Sequence, residues 1–235
     1  MRGTAVFARV ASRRGDPIKT IWETTMSDRK YRVIIWATGP IGRAALYNVL
    51  TSDDMELAGV SVHSEEKNGK DARDIVLLPQ NRVICTNDKQ KIFALQADVV
   101  MYCPTMHLSM DGLDIPVMEL LESGKSVITP AGYWFPPHHG KEYVAKLEEV
   151  CKRRAVHLYG GGENPGFWLE RLGVVATSVC SDVTSIKLEE AVDVSLWPSW
   201  SFVNGAMGFG NPLESMTAEN PIVQMYNWCF EEEIR

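Results

Sequence analysis

Tyr31–Gly42 reads YRVIIWATGPIG, and the order in which its residues change character decides the fold. A short apolar run, Val33 to Trp36, feeds directly into a glycine turn, and a helix-like segment follows from Arg43 to Leu50. Strand, tight turn and helix in that order put backbone N–H groups and the positive end of a helix dipole at one mouth. That arrangement suits the pyrophosphate of a dinucleotide. The spacing is Ala37-x-Gly39-x-x-Gly42, so alanine stands where the G-x-G-x-x-G fingerprint has its first glycine. Thr38, Gly39, Pro40, Ile41 and Gly42 are the candidate phosphate-binding residues.

The composition fits a globular chain with a substantial core: 235 residues, 45% hydrophobic and 23% charged. A formal net charge of -6 argues against a nucleic-acid or anionic-membrane surface. The five cysteines (Cys85, Cys103, Cys151, Cys180 and Cys229) are odd in number and contain no C-x-x-C. Reduced thiols in the cytoplasm are the simplest reading, with neither a disulfide framework nor a metal site. Cys103 ends a strand near the glycine turn, where it serves as a packing residue or a reactive thiol. No segment has the length and apolarity of a membrane span. Met1–Thr25 carries Arg2, Arg9, Arg13 and Arg14 with little periodicity. It reads as a disordered extension, taken here to residue 29, with Met26 as a natural start.

Strands and helices alternate beyond the turn. Arg32–Ala37, Glu56–His63, Arg82–Thr86, Asp98–Tyr102, Ser126–Thr129 and Val156–Tyr159 read as strands. Ile41–Thr51, Asp111–Ser123 and the strongly patterned Glu142–Arg154 read as helices. The alternation predicts an α/β fold with a doubly wound, mostly parallel sheet, a Rossmann-type domain over 30–165. Right-handed crossovers place the loops after each strand on one edge, where cofactor and substrate meet. After Gly166 the texture changes. Phe167–Leu172 reads as a helical turn, Ser185–Val194 as a strand with one wet face, Trp197–Asn211 as an ordered loop. Pro212–Ile234 reads as helix interrupted at Pro221. Residues 166–235 are therefore expected to start a second, partial α/β domain, for substrate or dimerisation. Its single strand lacks sheet partners, so the domain is truncated or another chain completes it.

Several residues on the loop edge can carry chemistry. After the second strand stand His63 and Ser64, followed by Lys67 and Lys70; a hydroxyl and cations suit the 2′-phosphate of NADP, with NAD as the alternative. Glu65 and Glu66 oppose that reading if they turn inward. Gly160-Gly161-Gly162-Glu163-Asn164-Pro165-Gly166 lets backbone approach a ligand, and Asn164 can donate to a carboxamide or substrate oxygen. His138 and His139 follow a proline-rich loop, and His107 follows Cys103-Pro104-Thr105; imidazole moves protons near neutral pH. His157 reads as packed within a strand. Alternation places Glu189, Asp193 and Ser195 on one face of the expected strand and Glu190 on the other. Trp197, Trp200 and Phe202 would wall a pocket or pack a junction.

WATGPIG after the first strand, VHSEEKNGKDA after the second, GGGENPGFWLERL at the crossover, and EEAVDVSLWPS followed by MGFG occur in this order. Together they resemble the dihydrodipicolinate reductase-like NAD(P)-dependent oxidoreductases, in the branch containing 2,4-diaminopentanoate dehydrogenase and amine dehydrogenases. The resemblance runs from about Lys30 to about Gly210. It implies hydride transfer between NAD(P)H and a carbonyl, imine or amine-type small molecule, with a C-terminal sheet that builds a homodimer when complete. It also implies that Gly39–Gly42 hold the pyrophosphate and that His63, Ser64 and Lys67 flank the adenosine ribose. Cys103, Pro104, Thr105 and Asn164 would approach the nicotinamide. The proton donor lies among Tyr133, His138, Glu163 and Glu190. Amine-dehydrogenase relatives carry a glutamate after the strand ending at Thr129, where this chain has Pro130-Ala131-Gly132-Tyr133. The alternative is therefore a dinucleotide-binding protein that has lost catalysis.

Overall fold

The computed structural model of the chain describes residues 29–79, 82–105, 109–164, 166–197 and 199–233. The expected extension at Met1–Thr25 and His107 lie outside the described residues. Tyr31–Arg235 forms one unit.

Six strands build one sheet: β1 (Tyr31–Trp36), β2 (Met55–Ser61), β3 (Cys85–Thr86), β4 (Val99–Tyr102), β5 (Ser126–Thr129) and β6 (Leu158–Gly160). Their order is β3-β2-β1-β4-β5-β6, and every pairing is parallel. The winding reverses between β1 and β4, which makes their C-terminal ends the switch point of a Rossmann-type sheet. The crossovers run through α1 (Pro40–Thr51), α2 (Ala72–Val76), α3 (Lys89–Ala94), α4 (Met110–Glu122) and α5 (Lys141–Arg154). The doubly wound sheet read from the alternation of elements is the fold observed.

Burial on both faces explains the apolar runs. Val33, Ile34 and Ile35 are fully buried, and neighbouring side chains feed opposite layers. Val33 and Ile35 join Leu46 and Val49 of α1 and Leu57 and Val60 of β2. Ile34 and Trp36 join Leu113, Val117 and Leu120 of α4 and Val150 of α5. Lys125 is buried at the N-terminal edge, opposite the loops of interest. Its ammonium donates to the Phe93 carbonyl at 2.8 Å and to the Ser123 hydroxyl at 3.1 Å. Burial holds its pKa below the usual lysine value.

The structure corrects the sequence reading in five places, four beyond β6 and one just before it. Ser185–Val194 forms no strand; its residues through Asp193 are exposed, and Asp193 instead caps a 3₁₀ turn at Val194–Leu196. Alternation creates a strand only where a neighbour supplies the ladder, and no strand pairs with this segment among the described residues. Gly166–Leu172 is a π-helix leading into α6 (Gly173–Thr177), rather than a single turn. The Trp197–Asn211 loop contains α7 (Trp200–Gly205), capped by the Ser199 hydroxyl, which accepts the Phe202 N–H at 3.3 Å. Pro221 begins α8 (Pro221–Glu233) instead of interrupting a helix, because a first-turn residue needs no N–H. His157 precedes β6 and is exposed, since the buried residue at that point is Val156. α8 returns to the loop after β5, burying Met225 and Cys229 beside Trp134, with the Trp134 and Trp228 rings stacked at 6.4 Å.

Candidate functional site

The chain leaves β1 through Ala37, whose φ of +72° is left-handed. Gly39 is the extended N-cap of α1 and carries no side-chain cap; Pro40 takes the first helical position. Pro40 has no N–H, so Ile41 and Gly42 are the first-turn donors, and no side chain caps them. The glycines differ in purpose. A Cβ at Gly39 would meet nothing within 4 Å, so the turn is open there. A Cβ at Gly42 would lie 2.0 Å from the Ala37 carbonyl oxygen, so α1 seats on β1 only without a side chain. The open mouth with inward donors fits a diphosphate.

The loop after β2 closes onto this mouth. Lys67 Nζ donates to the Thr38 carbonyl at 3.1 Å and to the Thr38 hydroxyl at 3.2 Å. Glu65 accepts from Asn87 at 2.5 Å and from Asn68 at 3.3 Å, while Glu66 pairs with Lys70 at 3.3 Å. Both acidic groups are thus engaged, Glu65 by Asn87 after β3 and by Asn68, Glu66 by Lys70, and His63 and Ser64 are exposed. After β4, Cys103 is buried, and its Cβ lies 3.6 Å from where a Gly42 Cβ would stand. Burial pushes the thiol up to about 11, so it is protonated near neutrality and behaves as a packing residue. Pro104 is half-buried and Thr105 exposed beside it.

The loops after β5 and β6 interlock. A Cβ at Gly160 would lie 2.2 Å from the Tyr133 carbonyl oxygen. The Trp134 indole N–H donates to the Gly161 carbonyl at 2.8 Å. The glycine run therefore serves loop-on-loop packing as well as any ligand. Asn164 donates through its amide to the Glu190 carboxylate, so the crossover and the 185–193 segment touch. The Glu163 side chain is exposed while its carbonyl accepts the Phe167 N–H at 2.9 Å.

The four candidate proton donors separate into two groups. Glu163 and Glu190 flank Asn164 at the crossover. Tyr133 and His138 sit on the loop after β5. Tyr133 is buried with φ +63°, and its hydroxyl donates to Asp114 Oδ1 at 2.7 Å; Tyr143 donates to the same oxygen at 2.8 Å. Burial and then the Asp114 carboxylate raise both phenols well above the ordinary range. His138 Nε2 meets Glu231 at 3.0 Å, and His139 Nε2 bonds Glu232. The Glu232 carboxylate is 2% exposed and also accepts the N–H groups of Trp134 at 2.9 Å and Phe135 at 3.1 Å.

Sequence reading missed Asp114, Tyr143, Trp134 and Glu232. The His139–Glu232 contact spans 93 residues and has no local pattern. The His138–His139 pair and the run of three glutamates at 231–233 were the one visible hint.

No protein-family model matches the chain. It is 24% identical over 184 residues to an amine dehydrogenase from Streptomyces virginiae, covering 77% of this chain and 51% of that protein. It is 28% identical over 189 residues to 2,4-diaminopentanoate dehydrogenase from Acetoanaerobium sticklandii, covering 79% of this chain and 52% of that one. The chain thus spans about half the length of the curated relatives it matches. The solved amine dehydrogenase from Mycobacterium smegmatis superposes with a TM-score of 0.54 at 18% identity, over 63% of this chain and 44% of that one. That likeness carries the fold. The resemblance read from the motifs is the one these relatives bear out.

Proposed function

We propose that this chain binds a nicotinamide dinucleotide, NADP in preference to NAD, and belongs to an oxidoreductase acting on a small carbonyl, imine or amine-type substrate. The observation that carries the reading is the mouth at Ala37–Gly42, with its uncapped first-turn donors and the Lys67 ammonium held on Thr38. Ile41 and Gly42 N–H groups would hold the diphosphate. His63, Ser64 and Lys67 would surround the ribose, and the engagement of Glu65 and Glu66 elsewhere favours a 2′-phosphate. Cys103, Pro104, Thr105 and Asn164 would border the nicotinamide. The cofactor, when bound, supplies the hydride. Residues 30–165 would serve the dinucleotide, and residues 166–235 would be the partial substrate and dimerisation part.

Tryptophan fluorescence during titration with NADPH and NADH tests this reading. Saturable binding with NADPH tighter than NADH is expected; no binding of either at about millimolar supply overturns it. A second reading, a dinucleotide binder without turnover, is favoured by the loop after β5, where Pro130–Tyr133 carries no carboxylate. Oxidation of NADPH over a panel of ketones and imines, and reduction of NADP over amines, separates the two.

A further inference from the structure

Glu232 lies far in sequence from every motif of the proposed site, yet it is the most deeply buried carboxylate among the described residues. It is 2% exposed. One oxygen, Oε2, accepts two backbone N–H groups, those of Trp134 and Phe135, at 2.9 and 3.1 Å. The other, Oε1, bonds His139 Nε2. A buried carboxylate persists only when its lone pairs are matched, and here two amides and an imidazole match them. The held loop is itself tied onward: Trp134 donates its indole N–H to Gly161, and the Tyr133 carbonyl packs on Gly160. α8 also carries Met225 and Cys229 into the contact with Trp134. The fixed path runs from α8 to the loop after β5, then to the glycine run that leads into Asn164.

We infer that Glu232 is the positioning residue of the proposed site: its carboxylate sets the backbone of the loop carrying Tyr133 and His138, and through Trp134 the crossover carrying Asn164. This rests on the dinucleotide reading above for its functional consequence, and on the contacts alone for its structural one. Glu232 touches no ligand; it acts through the loop. The groups facing His139 are Glu232 of α8, Tyr143 of α5 and the ring of His138, whose own Nε2 meets Glu231 of α8. They fix how each substitution behaves. Glutamine can keep both backbone N–H groups on its carbonyl oxygen and offer its amide N–H to the His139 ring; alanine can do neither.

The test uses the full chain as wild type, Glu232→Gln and Glu232→Ala. Hydrogen exchange of the peptide covering 130–140 is read beside NADPH affinity at a single pH of about 8. Alanine should speed loop exchange by about tenfold and weaken NADPH binding by at least about fivefold. Glutamine, which keeps the acceptor for both backbone N–H groups, should restore both readouts to near wild type. If alanine also undocks α8, seen as lost protection over 221–230, glutamine decides: a loop it leaves as loose as alanine does overturns the inference. Wild-type loop protection in both variants overturns the inference, as does loosened exchange with unchanged NADPH affinity. If wild type binds no NADPH while alanine still loosens the loop, the dinucleotide reading fails and the clamp stands as structural.

Discussion

Ala37 and Gly42 face each other across one turn and respond oppositely to a methyl group. Ala37 already holds a left-handed φ of +72°, at a cost of about 1 kcal/mol to an L-residue. Ala37→Gly removes that cost but loosens the unfolded chain by a similar amount, so stability should stay within about 0.5 kcal/mol. Gly42→Ala places its Cβ 2.0 Å from the Ala37 carbonyl oxygen. It should cost about 2 kcal/mol or more and weaken NADPH binding at least about tenfold. Urea unfolding and a nucleotide titration of both variants check the contrast; equal behaviour would sink the packing argument. Buried thiols make a second prediction. Burial, aided at Cys85 by Asp71, pushes Cys85 and Cys103 up to about 11. The native state therefore holds protons that the unfolded thiols release at lower pH. Stability is intact below the unfolded thiol pKa and falls as pH rises toward about 11, by roughly 2 kcal/mol per thiol. Urea unfolding at about pH 8 and about pH 10.5 should show the loss, and Cys103→Ala should reduce it. An identical slope in the variant would contradict this assignment.

Among the elements, α1 and α8 were legible to different degrees. α1 announces itself because β1 ends in a glycine turn and Leu46 and Val49 then recur at helical spacing, facing the sheet. The doubly wound parallel sheet followed from the alternation of strands and helices, whereas the strand order is seen only in the structure. The strand expected at Ser185–Val194 failed for a different reason. Its alternation is real, but a strand is a property of a pair, and the described chain offers it no partner. α8 shows the opposite failure: Pro221 suggested a break, while the docking partners, Trp134 and the loop after β5, lie about ninety residues away. The glycine turn was therefore readable as a candidate site, and the Asp114–Tyr133–Tyr143 and His139–Glu232 contacts were not. Met225, fully buried on α8, tests that docking. Met225→Ala should cost about 2–4 kcal/mol and raise acrylamide quenching of the tryptophans as Trp134 opens to solvent. Unchanged quenching would show that α8 does not cover Trp134.

For the molecule as a whole, apolar surface is covered unevenly. α1 and α2 pack against one face of the sheet over β1–β3, whereas Ile128 of β5 and Tyr159 of β6 remain 39% and 44% exposed. Parallel sheets ordinarily bury both faces. Farther along, Ile186, Leu188 and Val192 recur at alternate positions of an unpaired segment and are 64%, 44% and 52% exposed. The unpaired segment and these apolar residues support the homodimer proposed above, with two copies supplying each other's missing ladder. Light scattering should then show mass rising toward that of a dimer between about 1 and 100 µM, the range expected of a modest interface. Ile186→Glu with Leu188→Glu should hold the chain monomeric across that range. Because both side chains are exposed, the pair should shift unfolding by less than about 1 kcal/mol. A wild type that is monomeric at the top concentration removes the dimer. A double variant that still associates moves the contact elsewhere, with the bare face at Ile128 and Tyr159 next to be tested by Ile128→Lys.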